Sequence, residues 1–363
     1  MDYKIYVDKD ICKAETLPAK FYKDQEIFEL VRKKIFLKCW HWIGDESLTE
    51  NKNSVYPLNL YPKFLDEPIL ITRNQNNNIN FFSNVCTHRG NILVKEKGKS
   101  KKITCSYHGR RFDNNGIFEF MPEFQKTENF PRECDNLYKF SSFNWKKLLF
   151  VGLNPDFEIE KILTKIEERI GFLPLNDLNP DLTLSKDYNI NANWALYCDN
   201  YLEGFHVPFV HKDLNEVLDY NSYKTEVDEF FNLQIGYGKN EVECFNIPKF
   251  HKDYGKNIAA YYYWIFPNLM LNFYPWGISI NLVCPESNSK TKILFRSYVF
   301  DKTKLNHGAS SDLDKVEMED EEIVQTVQMG IKSSFYNTGR FSPTMERGVH
   351  HFHSLISNFL NKK

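Results

Sequence analysis

Two short segments restrict this chain more than any others: Cys86-Thr87-His88, a gap of 16 residues, then Cys105-Ser106-Tyr107-His108. A C-x-H half followed by a C-x-x-H half offers two thiolates and two imidazoles. Such a set can hold two irons, one on the thiolates and one on the imidazoles, and replacing two anionic ligands by neutral ones raises the reduction potential above that of an all-thiolate cluster. Gly90 and Gly109 follow the two halves, where turns around a buried inorganic core need close backbone approach. The competing reading is a tetrahedral zinc ion. Zinc sites usually pair C-x₂₋₄-C with H-x₃₋₅-H, whereas here each half carries one Cys and one His, in β-rich sequence.

A chain of 363 residues exceeds what one hydrophobic core usually organises, so two domains are expected. Asp24 can cap a helix over 24–38, with Ile27, Phe28, Val31, Ile35 and Phe36 at helical spacing. From Pro68 to about Phe150, short β-rich runs such as 69–73 and 79–85 alternate with turn signals at 74–78 and 113–116. A second helix is expected from Ile159 to near Gly171, with a boundary close to residue 155. Beyond it, 188–211 reads as a strand then a helix, 257–300 as a meander of four strands, and 312–333 and 344–360 as helices. Strands and helices in separate runs give an α+β class.

The net charge of −2, without long blocks of one sign, argues against a nucleic-acid partner. No apolar run is long enough to span a bilayer, and the first residues lack a signal-peptide pattern, so no membrane association and a cytoplasmic location are expected. The 8 cysteines are thinly spread, which disfavours a disulfide framework. Apart from Cys86 and Cys105, they read as small buried hydrophobes: Cys12, Cys39, Cys134, Cys198, Cys244 and Cys284.

A cluster domain would need only the first part of the chain. The remainder contains NWALYCDNYLEGFHVPFVH, with His206 and His211 five residues apart. A regular helix would splay them, but Pro208 between them disfavours a straight helix and lets both rings turn toward one point. Two imidazoles and one carboxylate on one face of an iron leave positions open for O₂ and substrate. The carboxylate must come from elsewhere. The acidic run Glu317, Glu319, Asp320, Glu321, Glu322 otherwise has the composition of a solvated helix face.

CTHRG and CSYHGRRFDNNG resemble the Rieske domain of ring-hydroxylating oxygenase α subunits, with Ser106 and Arg110 standing where Pro and Trp are common. D-N-Y-x-E-G-x-H-x₄-H and the later E-D-x₇-Q-x-G are similar to the catalytic domain of the same family. The resemblance implies a small antiparallel β Rieske domain plus a catalytic domain whose antiparallel sheet is flanked by helices. The expected division is 1–45 as an N-terminal helical segment packing on the catalytic domain, 46–155 as the Rieske domain and 156–363 as the catalytic domain. It implies a [2Fe–2S] cluster on Cys86, His88, Cys105 and His108, and a mononuclear Fe(II) on His206, His211 and Asp320, the Asp eight residues before Gln328. Glu203 maps to the carboxylate that links an iron-ligating His to a Rieske His of a neighbouring subunit, here His206 and His108. Asn200 and Asp199 are candidate supporting residues beside the iron. His350, His351 and His353 are expected to pack rather than to bind metal.

No flavin or nicotinamide fingerprint is present, so electrons from NAD(P)H would arrive through a separate reductase or ferredoxin. A head-to-tail arrangement with the Rieske domain of one subunit against the catalytic domain of the next closes as a homotrimer. The tracts 259–287 and 335–355 are similar to the branch holding choline, carnitine and glycine betaine monooxygenases. Aromatic faces hold quaternary ammonium groups, and Tyr261, Tyr263, Trp264, Phe273 and Trp276 could supply them, although alternating aromatics on strands are more often core. A ring hydroxylase of an aromatic acid, which would need Arg or Lys in its pocket, and a non-enzymatic electron carrier are the alternatives.

Overall fold

Short β-rich runs separated by Asn-rich turns fold into three small antiparallel sheets. The protein is represented by a computed structural model that describes residues 4–239, 243–305, 307, 309 and 313–362. The chain forms two compact units, Leu37–Ile159 and the combination of 1–36 with Glu160–Lys363.

In the β-rich unit, β1 (Trp40–Asp45) pairs with β10 (Leu148–Gly152), which pairs with β9 (Ser141–Trp145). A second sheet has the order β4 (Ile79–Ser83), β3 (Glu67–Arg73), β2 (Ser54–Leu60), β5 (Gly98–Lys99). The third runs β6 (Lys102–Thr104), β7 (Arg111–Asp113), β8 (Phe118–Phe120). Turn chemistry sets the registers. Asn74 Oδ1 accepts from the N–H groups of Asn76 and Asn78, both at 2.9 Å, which closes the hairpin that pairs Ile71 with Phe81. Asp113 Oδ1 accepts from Asn115 and Ile117, and Gly116 takes φ 75° where a Cβ would lie 2.7 Å from the Phe82 ring. Val55, Leu70, Phe82, Ile103 and Phe112 form the core beneath, with Cys86 and Cys105 at its edge. Residues 37–45, expected with the N-terminal helical segment, belong to this unit, because β1 takes its backbone partners from β10, and the unit runs to Ile159 rather than to the expected residue 155.

The other unit begins with α1 (Ala19–Lys23) and α2 (Gln25–Lys34), the latter capped by Asp24. After α3 (Ile159–Ile170) comes β11 (Asn179–Ile190), an edge strand of a seven-stranded antiparallel sheet. The sheet continues through β17 (Lys290–Val299), β16 (Gly277–Ser287), β15 (Leu269–Tyr274), β14 (Ile258–Ile265), β13 (Phe231–Tyr237) and β12 (Lys224–Val227). Four helices complete it: α4 (Trp194–Tyr201), the short α5 (Val207–Val210) and α6 (Lys212–Val217), and the long α7 (Leu313–Ile331). The C-terminal α8 (Arg347–Asn361) packs Phe352 edge-on to Trp264 and Trp194. The start expected for α7, residue 312, lies outside the described residues.

Strand alternation sorts the aromatic meander. The register aligns Gln234, Tyr262, Asn272 and Ser279 in one row across β13–β16, all on one face. Tyr261, Tyr263 and Phe273 point the other way; Tyr261 stacks on Phe245 and donates to Asp253 Oδ2 at 3.0 Å. Cys39, Cys198 and Cys284 are buried as expected, but Cys12 and Cys134 are exposed and Cys244 is half-buried. Among the described residues no helix is long and apolar enough to cross a membrane.

Candidate active site and cluster site

The two cluster loops are built alike. Cys86 N–H donates to Asn91 O at 2.8 Å and Gly90 N–H to Cys86 O at 3.0 Å; Cys105 N–H donates to Arg110 O at 2.8 Å and Gly109 N–H to Cys105 O at 3.0 Å. Both glycines adopt φ 72°, a left-handed turn that a Cβ would strain. The loops bring the donors together as two pairs. The two cysteines are buried and adjacent, while the His88 and His108 rings lie edge to face at 4.9 Å, with His108 exposed.

Among the described residues, only His206, His211 and Asp320 bring three donor atoms within 4.8 Å of one another. The Cys and His pairs therefore do not converge on one tetrahedral ion. Inner thiols and outer imidazoles suit a two-iron cluster. Burial raises the Cys86 thiol pKa, and the neighbouring Cys105 adds to it. At Cys105 burial is outweighed by the Tyr107 N–H, by the Asn91 amide 3.5 Å from Sγ and by other donors, so its pKa falls. Donors are thus in place around Cys105 Sγ for a ligating thiolate.

Arg110 joins the loops. It is buried, its Nη2 donates to Asp135 Oδ1 at 2.8 Å and to Asp135 O at 3.0 Å, and the same carbonyl accepts from Thr87 Oγ1 at 2.8 Å. Its guanidinium lies 4.9 Å from the Phe118 ring centroid. A buried, paired cation thus stands at the position where Trp is common.

The second site forms where α4, α5 and α7 meet. Asn193 caps α4, and its own N–H donates to Gln328 Oε1 of α7 at 2.7 Å, so Gln328 anchors the helix start. Past α4, the Glu203 carboxylate accepts from the backbone N–H groups of Phe205 and His206 and so initiates the turn into α5. Its Oε1 also accepts from His206 Nδ1 at 2.8 Å. Four helical residues, Pro208 among them, separate the histidines and fold them toward each other, Nε2 to Nε2 at 3.1 Å.

The face of α7 carrying Glu317, Val324, Gln328 and Ile331 is buried, against the solvated face its composition implies. Asp320, half-buried on that side, places Oδ1 2.9 Å from His211 Nε2 and 3.5 Å from His206 Nε2. Asn200 donates to the same Oδ1 at 2.5 Å. Glu319 accepts from His211 Nδ1 at 2.7 Å, so each imidazole gives one nitrogen to an outer carboxylate and turns the other inward. Burial opposes charge on His211, but bonds to Asp320 and Glu319 outweigh it and raise its pKa.

Asp199 instead binds the Tyr22 hydroxyl and His353 Nε2, each at 2.8 Å, and is committed to packing. His350 and His351 bond to Asp8 O and Asn232 Oδ1, so the C-terminal histidines hold the fold together. Glu319 and Glu317 carried no sequence signal separating them from their acidic neighbours. Tyr197 and Asn200, three apart on α4, meet Glu317 and Asp320, three apart on α7, and only that matched spacing hinted at the pairing.

A cavity of about 120 Å³ opens beside His206, His211 and Asp320. Its aromatic walls are Tyr197, Tyr201, Tyr223, Tyr262, Tyr274 and Phe295. Gln234, Asn272, Ser279 and Asn281 form a polar strip on the sheet side. Among the described residues, none that lines the cavity is Arg or Lys. The aromatics expected from sequence do not line it: Tyr261, Tyr263 and Phe273 occupy the opposite sheet face, Trp264 packs on α8, and Trp276 stacks behind Tyr274 at 5.4 Å.

Residues 47–131 match the family model for the Rieske [2Fe-2S] domain and residues 182–362 that for the ring hydroxylating alpha subunit catalytic domain. The chain belongs to the Rieske non-haem iron oxygenases. It carries a [2Fe–2S] cluster and a mononuclear iron, and takes its electrons from a separate reductase or ferredoxin. It is 26% identical to the chloroplastic choline monooxygenase of Arabidopsis thaliana, over 96% of this chain and 83% of that protein. It is 27% identical to the carnitine monooxygenase oxygenase subunit of Escherichia coli, over 95% and 94% of the two chains. A solved quaternary ammonium Rieske monooxygenase shares the fold with a TM-score of 0.78 at 22% identity, over 98% of this chain and 99% of that one.

Proposed function

We propose that this oxygenase hydroxylates a carbon bonded to the nitrogen of a small quaternary ammonium compound. In this reading His206, His211 and Asp320 ligate the mononuclear iron, and Cys86, His88, Cys105 and His108 ligate the cluster. The cavity carries the substrate assignment. Among the described residues its walls offer tyrosine faces and no Arg or Lys to pair an aromatic carboxylate. A desolvated cation over an aromatic face gains on the order of 2 kcal/mol. The volume is in the range of an engineered cavity of ~150 Å³ that holds benzene, which favours a small molecule. The relatives named for choline and carnitine point the same way.

When bound, the mononuclear iron supplies oxygen activation with electrons drawn through the cluster. The chain's own residues prepare the site. Glu203 and Glu319 fix the two imidazole rings, Asn200 holds Asp320 Oδ1, and the aromatic walls exclude water. One turnover takes up O₂, two electrons and two protons, and yields the hydroxylated substrate and water. Hydroxylation at an N-methyl carbon gives a product that releases formaldehyde and a proton and leaves the tertiary amine.

The subunits assemble as a cyclic homotrimer in this proposal, with Glu203 between His206 and His108 of the partner subunit. His108 is exposed, and Glu203 Oε1, which accepts only from His206 Nδ1, keeps a further lone pair, while Oε2 already accepts two backbone N–H groups. The cytoplasmic location expected from the sequence belongs to the same proposal.

The test is aerobic turnover of choline, carnitine, glycine betaine and a set of aromatic carboxylates with a flavin reductase, scored by product mass. Oxidation of a quaternary amine, with three irons per chain, is the expected result. Turnover of aromatic acids alone overturns the substrate, and two irons per chain in an inert protein restores the electron-carrier alternative.

A further inference from the structure

We propose that Glu317 is the counter-charge of the cationic substrate, a carboxylate that pairs the ammonium centre one helical turn from Asp320. This inference rests on the quaternary ammonium reading and names the residue that makes the cavity select a cation.

Glu317 lines the cavity and is 3% exposed. Its Oε2 accepts the Tyr197 hydroxyl at 2.6 Å, and its Oε1 has no hydrogen-bond partner among the described residues. A buried carboxylate in this condition is costly to ionise, since both desolvation and an unfilled acceptor oppose it. Burial accordingly pushes its pKa well above the carboxylate range, with Asp320, Glu321 and Asp314 adding to the rise. No Lys or Arg among the described residues lines the cavity, and the two histidines there are turned to Asp320 and their own outer carboxylates. Glu321 also has a buried Oε1 without a partner but does not line the cavity, and the other acids nearby are engaged: Glu319 with His211, Asp320 with His211 and Asn200, Asp314 with Lys186 and Tyr188. Among Asp314, Glu317, Glu319 and Asp320, Glu317 alone has only a neutral partner.

A purely structural role would need only a hydrogen-bond acceptor for Tyr197, which an amide provides. A carboxyl group serves one further purpose there, pairing with a cation the chain does not supply. A quaternary ammonium has no N–H, so it needs no donor–acceptor geometry, only a nearby negative charge and apolar walls. Glu317 and Asp320 are three residues apart, which puts their Cβ atoms about 5–6 Å from each other on one helix face. A cation held at Glu317 thus presents the carbons on its nitrogen to the metal ligands, the geometry that oxidation next to nitrogen requires.

Binding to the anaerobic holoenzyme, measured by calorimetry, tests this with matched pairs. Choline is compared with 3,3-dimethylbutan-1-ol and glycine betaine with 3,3-dimethylbutanoate, in which carbon replaces the charged nitrogen. The wild type is expected to favour at least one cation over its isostere by ~10-fold or more, as close charge pairs do. Glu317→Gln keeps shape and the Tyr197 bond; it is expected to retain three irons per chain and isostere binding while losing most of that preference. Glu317→Asp keeps the charge and is expected to retain the preference within a few-fold. An undiminished preference in Glu317→Gln overturns the role of Glu317 and leaves the quaternary ammonium reading standing. Equal losses in the Gln and Asp variants overturn charge pairing in favour of shape. A wild type that binds none of the cations overturns the substrate reading, and this inference with it.

Discussion

Glu319 offers a sharp test of how the iron site is held. Its carboxylate accepts from His211 Nδ1 at 2.7 Å, while His211 Nε2 faces Asp320. In Glu319→Ala the Nδ1–H loses its acceptor, the proton is free to move to Nε2, and that tautomer cannot ligate. Removing such an outer partner typically lowers metal affinity 10–100-fold, about 1.4–2.7 kcal/mol. The surroundings pull in opposite directions. The His211 side chain is only 2% exposed, which argues for the larger figure, but Glu319 is 29% exposed, so water can enter the space it leaves. Water is a serviceable acceptor, and the expected loss is therefore nearer tenfold. The assay is titration of Fe(II) into protein stripped of mononuclear iron, in competition with a chromogenic chelator, with the visible cluster spectrum as the check on folding. Glu322→Ala, an exposed acid on the same helix, is the control. Wild-type affinity in Glu319→Ala, or an equal loss in Glu322→Ala, would refute the reasoning.

Asp320→Ala is expected to drop the iron content from three to two per chain and abolish oxygenation with an unchanged cluster spectrum; retention of the third iron, measured by metal analysis, assigns the ligand elsewhere. His108→Cys is expected to lower the cluster potential in a redox titration by on the order of 100 mV, because an added thiolate favours the oxidised state. An unchanged potential, or a reduced wild type without a Rieske-type paramagnetic signal, counts against the cluster ligands. Glu203→Gln is expected to keep three irons and the trimer while product formation slows at least tenfold, since a neutral amide accepts more weakly than a carboxylate. Normal turnover in that variant, or an active monomer in sedimentation, sinks the inter-subunit bridge.

The proposed cluster ligands were readable because each half is local: Cys86 with His88 and Cys105 with His108 lie on single turns whose glycines sit where the backbone needs them. The His206–His211 pair was readable from its spacing, but not as a break at Pro208: Pro208 stands in the first turn of α5, where a helix accepts it, and the two histidines flank that four-residue helix at its ends. Asp320 was readable only by likeness to a family. Along α7, Glu317, Glu319, Asp320, Glu321 and Glu322 are chemically near-equivalent, and each residue turns the helix by about 100°.

What the sequence determined by itself was ligand chemistry at short range and the alternation of side chains along strands and helices. Which face of the sheet became a cavity was settled in three dimensions. Alternation put Tyr261 with Tyr263 and Tyr262 apart from them, but it carries no information on what covers either face. The packing of α4 and α7 made that choice, leaving Tyr262 and Tyr274 at the cavity and Tyr261 against Phe245. The same packing gave three acids within four residues of α7 three different partners: Glu317 to Tyr197, Glu319 to His211 Nδ1 and Asp320 to His211 Nε2. Periodicity is a property of neighbours along the chain, whereas a site is a property of neighbours in space, and only the tertiary contacts turn one into the other.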